Sequence, residues 1–238
     1  MAVPRPALAP VLDAALAAPP PELPAGCQPD RRRRREGRRF LRELPAECAA
    51  AAFFDPQYRG VLDRLQYGNE GKGRGRGRSA LAQMPEETII EFIAELGRVL
   101  RPSGHLFLWI DKFHLCAGDA QKWAEGTALR QVDMVTWDKG RMGMGYRTRR
   151  QVEHLAVLQK KPLRAKGVWS ARDIPDLITE KVPRGGHPHR KPVEMQRRLI
   201  EAVAAPGELV VDPAAGSYSV LESCQLAGRT FLGCDLAG

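Results

Sequence analysis

Four acidic residues stand where predicted strands end: Asp55, Asp111, Asp212 and Asp235. Each follows or closes an apolar run that predicts a buried strand. Ligands of open α/β sheets bind at the carboxyl ends of the strands, so these carboxylates are expected around one site. A single acid at a strand end is more often a helix cap or a turn residue, and only the four together indicate a binding site.

The segment 210–220, VVDPAAGSYSV, has the pattern of a nucleoside-binding βαβ unit. A strand ending in Asp212 passes into a turn of small residues and then a helix, so a ligand can approach the backbone and the free amides of the helix N-terminus. At the end of the next strand, Asp235 is placed to accept hydrogen bonds from two ribose hydroxyls. The turn lacks the GxGxxG pattern, which disfavours a dinucleotide, and an ordinary βαβ unit is the alternative.

The elements that must position these residues alternate between strands and helices. The sequence predicts helices over 38–45, from Pro85, after Pro192 and over 217–227. The predicted strands are 49–54, HLFLWID, QVDMVTWD, VEHLAVLQ, ELVVDP and RTFLGCD, with RPSG (101–104) as a turn. Such alternation predicts an α/β fold with a mainly parallel sheet.

Three motifs resemble those of the site-specific DNA amino-methyltransferases. DPQY (55–58) resembles their DPPY element, HPHRKPVEMQRRLI (187–200) their HPTxKPxxLxxxLI element, and DPAAGSYSV (212–220) their DPFxGSGT element. DPQY comes first, then HPHRKP, then DPAAGS, and this circularly permuted order is that of the β-class enzymes. The resemblance runs from about Gly37 to Asp235 and implies a Rossmann-like, S-adenosylmethionine-dependent methyltransferase fold.

The resemblance also assigns residues to the cofactor. Those that would line it are Asp212, Pro213, Ala214, Gly216 and Ser217. Asp235 would hold its ribose, and the residues beside its methionine end would be His187, Pro188, Lys191 and Pro192. For Lys191 and Pro192 the alternative is a basic residue before a proline-started helix. No metal ion is implied.

The catalytic residues that the resemblance implies are Asp55, Pro56 and Tyr58. An amine on an aromatic ring is a poor nucleophile, because its lone pair is delocalised into the ring. The Asp55 carboxylate and the Pro56 carbonyl would each accept one amine hydrogen, and Tyr58 would stack on the flipped base. The acid that opens DPQY favours adenine N6; cytosine N4, an RNA substrate and a nucleic-acid-binding pseudoenzyme are the alternatives.

The sequence departs from the family pattern in four places. Gln57 replaces the second proline of DPPY, and Tyr218 replaces a small residue, where it would crowd the cofactor unless it turns away. Arg35 and Glu36 stand where Gly-Asp is expected, so Glu36 would take the adenine-side role. For a separate target-recognition domain, only the inserted loops 59–84 and 161–186 are available.

The positive charge of the chain favours a polyanionic partner. Lys and Arg number 37 against 28 Asp and Glu, a net charge of +9. The loop 59–84 contains GKGRGRGR, and the residues predicted to contact phosphates of double-stranded DNA are Arg59, Lys72, Arg74, Arg76 and Arg78. A solvated, disordered insertion is the alternative for this loop.

Composition also predicts the domain organisation and the compartment. Residues 1–35, rich in Ala, Pro and Arg, are expected to be disordered, and 36–238 to form one methyltransferase domain. The five cysteines form no CxxC pair, which disfavours zinc and fits a reducing cytoplasm. No apolar run reaches the roughly 20 residues of a membrane helix. A homodimer and a restriction endonuclease partner are left open.

Overall fold

Seven strands and six helices are present within residues 22–24, 27–57, 83–143, 147–181 and 190–237, the part of the chain that the computed structural model describes. The strands are β1 (Ala49–Phe54), β2 (Leu100–Ile110), β3 (Leu129–Asp138), β4 (Val152–Lys160), β5 (Leu177–Thr179), β6 (Leu209–Asp212) and β7 (Thr230–Gly233). The helices are α1 (Gly37–Glu43), α2 (Glu86–Val99), α3 (Lys112–Ala117), α4 (Asp119–Trp123), α5 (Val193–Val203) and α6 (Ser219–Ala227). None of these helices has the length and apolar character needed to cross a membrane.

The strands form one mixed sheet in the order β5-β3-β4-β2-β1-β6-β7. Strands β2, β1, β6 and β7 are parallel, whereas β4 is antiparallel to both β2 and β3. Strand β5 is parallel to β3, so every strand except β4 points the same way. The predicted mainly parallel sheet is therefore confirmed, and the carboxyl ends of β1, β2, β6 and β7 share one edge, called the catalytic edge below.

Apolar layers cover both faces of the sheet. Strand β1 reads AAAAFF and is buried throughout, as expected for a central strand with helices on each side. Its last two residues point to opposite faces: Phe54 packs on Phe92 of α2, and Phe53 stacks on Phe107 of β2. Helices α1 and α2 pack on the Phe54 face, and α5 and α6 on the Phe53 face. The central strands are thereby held rigidly beneath the catalytic edge.

Two predicted connections differ in the structure. The predicted turn 101–104 lies inside β2, where the pairing jumps from Ala49–Leu100 to Ala51–His105 and Ser103 has a φ of 62°. The predicted inserted loop 161–186 contains β5, a three-residue strand that pairs with β3. Both features depend on a neighbouring strand, which explains why local sequence pattern did not reveal them.

Residues 27–35 of the N-terminal segment are hydrogen-bonded to the folded unit, whereas disorder was expected to extend to residue 35. The Asp30 amide donates to the Phe231 carbonyl, and the Asp235 amide donates to the Arg33 carbonyl, both at 2.9 Å. The Arg35 amide donates back to the Asp235 carbonyl at 3.0 Å. The unpaired backbone groups of the edge strand β7 attract this segment, a tertiary effect that overrides its composition.

Candidate active site

Three of the four predicted acids lie on adjacent strands at the catalytic edge. Asp55 follows β1, Asp212 ends β6, and Asp235 follows β7. The fourth, Asp111, follows β2 but caps α3, because its carboxylate accepts hydrogen bonds from the amides of Phe113 (2.8 Å) and His114 (3.0 Å). Asp111 is therefore a helix cap, the alternative role for an acid at a strand end.

Asp55 and Pro56 leave β1 with two acceptors available. No partner of Asp55 Oδ1 or of the Pro56 carbonyl is found in the described residues, and Pro56 itself is buried. The next carbonyl, that of Gln57, accepts a hydrogen bond from the Met84 amide at 2.7 Å, so these two residues lie side by side. Tyr58 and the predicted DNA contacts Arg59, Lys72, Arg74, Arg76 and Arg78 lie outside the described residues.

Lys191 brings a buried positive charge to Asp55. Its Nζ lies 3.1 Å from Asp55 Oδ2 and 3.0 Å from Glu153 Oε2, and 4.5 Å from the centre of the Trp109 ring. Burial alone would lower the pKa of Lys191, but the charges of Asp55 and Glu153 outweigh it and raise that pKa. The structure thus joins a residue of the HPHRKP motif to the acid of DPQY.

Glu153 is a site residue that the sequence analysis missed. It lies near the start of β4, and its Oε1 is 3.3 Å from Nζ of Lys139. Burial alone would raise the pKa of Glu153, but Lys191 and Lys139 lower it to about 2. A glutamate near the start of the predicted strand VEHLAVLQ was the signal that could have identified it.

Asp212 is buried at the end of β6. It is 5% exposed, and burial raises its pKa to about 8. A hydrogen bond from the Ala214 amide (3.1 Å) opposes this shift, whereas the charges of Asp55 and Asp235 add to it. Three carboxyl groups thus share this edge, and burial favours the protonated form of Asp212.

The turn after Asp212 is shaped by small residues. Gly216 has a φ of 48°, a conformation that favours glycine, and its amide donates to Asp235 Oδ2 at 3.1 Å. Gly37 of α1 packs on the carbonyl of Pro213, since a Cβ at Gly37 would lie 2.3 Å from that oxygen. The turn is therefore wedged between α1 and the end of β7. Ala214 is half-buried and Ser217 is likewise partly accessible.

Tyr218, which stands where the family pattern has a small residue, points into the protein. It has a φ of 59°, is 2% exposed, and packs edge-on against Phe231. Its hydroxyl donates to the Arg33 carbonyl (2.7 Å) and accepts from the Arg33 amide (2.9 Å). Glu36 caps α1 by accepting from the amides of Arg38 and Arg39. The Tyr218 ring thus anchors the N-terminal segment and leaves the turn free.

A basic connection, called the hairpin below, joins β3 and β4 at the same edge. The connection 139–151 between β3 and β4 carries five Lys and Arg and no acid. His154 of β4 pairs with Ile110, the last residue of β2, which puts this hairpin at the catalytic edge. Arg141, Arg147 and Arg149 are exposed, with no ion pair to any described residue, and Met142 is 73% exposed.

The turn and its flanking acids fit the adenosine part of S-adenosylmethionine. The small residues 214–217 let a ligand reach the backbone, and the half-buried Asp235 still has free lone pairs beside its bonds from Gly216 and Ala237. His187 and Pro188 lie outside the described residues, and Pro192 precedes α5 as its N-cap. Within the described residues, no group of His, Cys, Asp and Glu could hold a metal ion.

Comparison with known proteins agrees with this geometry. Residues 85–237 match the family model described as DNA methylase. The type II methyltransferase M.HhaII of Haemophilus parahaemolyticus is 55% identical over 194 residues, which cover 81% of this chain and 85% of that protein.

Solved structures share the fold at low identity. The cytosine-N4-specific PvuII DNA methyltransferase has a TM-score of 0.66 and 14% identity, over 89% of this chain and 85% of that one. The M1.HpyAVI–SAM complex has a TM-score of 0.61 and 16% identity, over 86% of this chain and 92% of that one. The family match, the close relative and the arrangement of the site agree: the chain belongs to the DNA methylase family, the S-adenosylmethionine-dependent enzymes that methylate adenine N6 or cytosine N4 in DNA.

Proposed function

We propose that this enzyme methylates N6 of adenine in double-stranded DNA. The proposal rests on two acceptors at the end of β1, Asp55 Oδ1 and the Pro56 carbonyl, for which the described residues provide no partner. An exocyclic amine has two hydrogens, and two acceptors on consecutive residues match them. The choice of adenine is supported by the acid that opens DPQY, because family members acting on cytosine N4 usually have serine there.

The residues of the chain prepare the amine for attack. S-adenosylmethionine, when bound, supplies an electrophilic methyl group. Asp55 and the Pro56 carbonyl each accept a hydrogen bond from one N–H of the amine. These two hydrogen bonds favour a pyramidal nitrogen whose lone pair is directed away from the ring. Tyr58 is proposed to stack on the flipped base, and positioning with electrostatic stabilisation then supplies most of the rate.

Double-stranded DNA is proposed to approach the catalytic edge between two basic segments. One is the loop 59–84, with Arg59, Lys72, Arg74, Arg76 and Arg78. The other is the hairpin 139–151, whose exposed arginines suit phosphate oxygens. The loop follows the end of β1 in the chain, and the hairpin lies at the same edge of the sheet, so phosphate contacts there would hold the duplex while one base enters the site. A homodimer, an endonuclease partner and a cytoplasmic location stay predictions from the sequence.

Analysis of modified bases tests the proposal. The gene is expressed in a bacterial host without DNA methyltransferases, and the genomic DNA is hydrolysed and examined by mass spectrometry. We expect N6-methyladenine in cells with the wild-type protein and none with the Asp55→Ala variant. N4-methylcytosine in place of N6-methyladenine would establish the alternative base. Labelled methyl transfer to RNA but not to DNA would overturn the proposed substrate.

A further inference from the structure

We propose that Glu153 and Lys191 form a positioning pair that holds the Asp55 carboxylate in its working orientation. The inference rests on the proposed role of Asp55. It gives Lys191 a function distinct from the cofactor contact that the sequence resemblance implies, and it gives Glu153 a function in methyl transfer.

The contacts of Lys191 are made by three elements that are distant in the sequence. Asp55 follows β1, Glu153 belongs to β4, and Lys191 precedes α5. The ammonium group lies 3.1 Å from Asp55 Oδ2 and 3.0 Å from Glu153 Oε2, and the Lys191 side chain is only 15% exposed. The Trp109 ring faces the same ammonium at 4.5 Å. Two carboxylates and an aromatic ring thus contact the same ammonium group.

Glu153 is needed because a lysine alone does not fix a carboxylate. The lysine stem is flexible, and its ammonium is a point charge with three rotatable donors. Glu153 accepts from Lys191 through Oε2, and its second oxygen is held by Lys139 at 3.3 Å. The series Lys139, Glu153, Lys191 and Asp55 alternates in sign and sums to zero charge, so the buried ammonium is compensated.

Asp55 needs such support because its carboxylate can otherwise rotate about the side-chain bonds. Asp212, the carboxyl group on the neighbouring strand, favours its neutral form and supplies no charge that would hold Asp55 in place. Lys191 on Oδ2 limits the rotation of the Asp55 carboxylate and leaves Oδ1 for the amine hydrogen. Since small displacements of a catalytic group are costly, the pair acts on the rate rather than on binding.

The test compares Glu153→Gln with a matched control, Glu47→Gln. Glu47 is also an ion-paired glutamate, 3.2 Å from Nζ of Lys160, but it precedes β1 at the opposite edge of the sheet. We expect Glu153→Gln to lower the single-turnover rate of methyl transfer by about 10- to 100-fold, as for a misplaced catalytic group. Cofactor Kd and Tm should change little, and Glu47→Gln should match the wild type in rate.

A double-mutant cycle and a titration complete the test. If Glu153 acts through Asp55, Glu153→Gln should cause no further loss of rate when added to Asp55→Ala. Carbon-13 carboxyl titration should give Glu153 a pKa of about 2 in the wild type, and Lys191→Met should raise it. This second readout does not depend on activity.

Three results would overturn the inference: a normal rate in Glu153→Gln, additive losses in the cycle, or a Glu153 that titrates like an exposed glutamate. Loss of cofactor affinity at an unchanged rate would also overturn it, by assigning the pair to cofactor binding. A wild type that transfers no methyl group to DNA would instead mark the failure of the proposed function.

Discussion

At the scale of single residues, the main prediction concerns the effect of replacing Asp55 on methyl transfer. Replacing it with Ala removes one of the two acceptors for the amine and should lower methyl transfer by about 10²- to 10⁴-fold, the range for loss of a positioned catalytic group. Lys191 retains its Glu153 partner, so the fold and the cofactor Kd should be nearly unchanged. Single-turnover kinetics and titration calorimetry measure the two quantities. Near-normal transfer by the variant would contradict the proposed mechanism.

The raised pKa of Asp212 predicts that the free energy of unfolding depends on pH. In the folded, ligand-free protein its pKa is raised to about 8 by burial, above its unfolded value of about 4. The folded state therefore binds more protons between these values, and the free energy of unfolding should fall as pH rises from about 4 to about 8. The loss is on the order of a few kcal/mol. Urea denaturation across this pH range measures it.

The control for this pH dependence is Asp212→Asn, which keeps an oxygen for the Ala214 amide and cannot ionise. Its unfolding free energy should depend less on pH than that of the wild type. Equal slopes in the two proteins would show that the Asp212 carboxyl titrates normally.

At the scale of whole elements, the arginines of the loop and of the hairpin predict how DNA binding depends on salt concentration. Each phosphate contact contributes about 0.9 to the slope of log affinity against log salt concentration. Replacing Arg74, Arg76 and Arg78 with Ala should flatten that slope by roughly 2 to 3. Arg141, Arg147 and Arg149 in the hairpin are exposed at the same edge, and their replacement should have a comparable effect.

Exposed cations at the opposite edge provide the control for both variants. Arg164 and Lys166 follow the end of β4, away from Asp55. Replacing these two with Ala should leave the slope unchanged, and none of the variants should alter cofactor Kd. If a triple variant keeps the wild-type slope of log affinity against log salt concentration, the replaced arginines of that loop or hairpin make no phosphate contact.

The N-terminal segment provides a prediction at the scale of the whole molecule. Deleting residues 1–35 removes the Tyr218–Arg33 hydrogen bonds and the pairing of Arg33 and Arg35 with Asp235. Each lost bond costs about 0.5–1.5 kcal/mol, so Tm should fall markedly. Deleting only residues 1–21 removes no described contact and should leave Tm unchanged. Equal Tm values for the two truncations would show that the segment does not stabilise the fold.

The amino-acid sequence by itself determined the fold class and indicated the family. Buried strands such as AAAAFF, the helical spacing of Ile89, Phe92 and Ile93, and small residues after Asp212 are local signals that survive in the structure. The order of DPQY, HPHRKP and DPAAGS indicated the family that the comparisons confirmed. Local patterns suffice here because strand and helix periodicity and turn chemistry are encoded by neighbouring residues.

Only the tertiary structure decided which charges meet. The contacts of Lys191 with Glu153 and Asp55 join residues that are far apart in the sequence. They depend on the order of β4, β2 and β1 in the sheet. Tyr218 could crowd the turn or avoid it, and burial of its ring beneath residue 33 settled the question. Asp111 became a helix cap although its sequence context matched that of the other acids. Burial, pairing and pKa depend on neighbours brought together by folding, so no local pattern contains them.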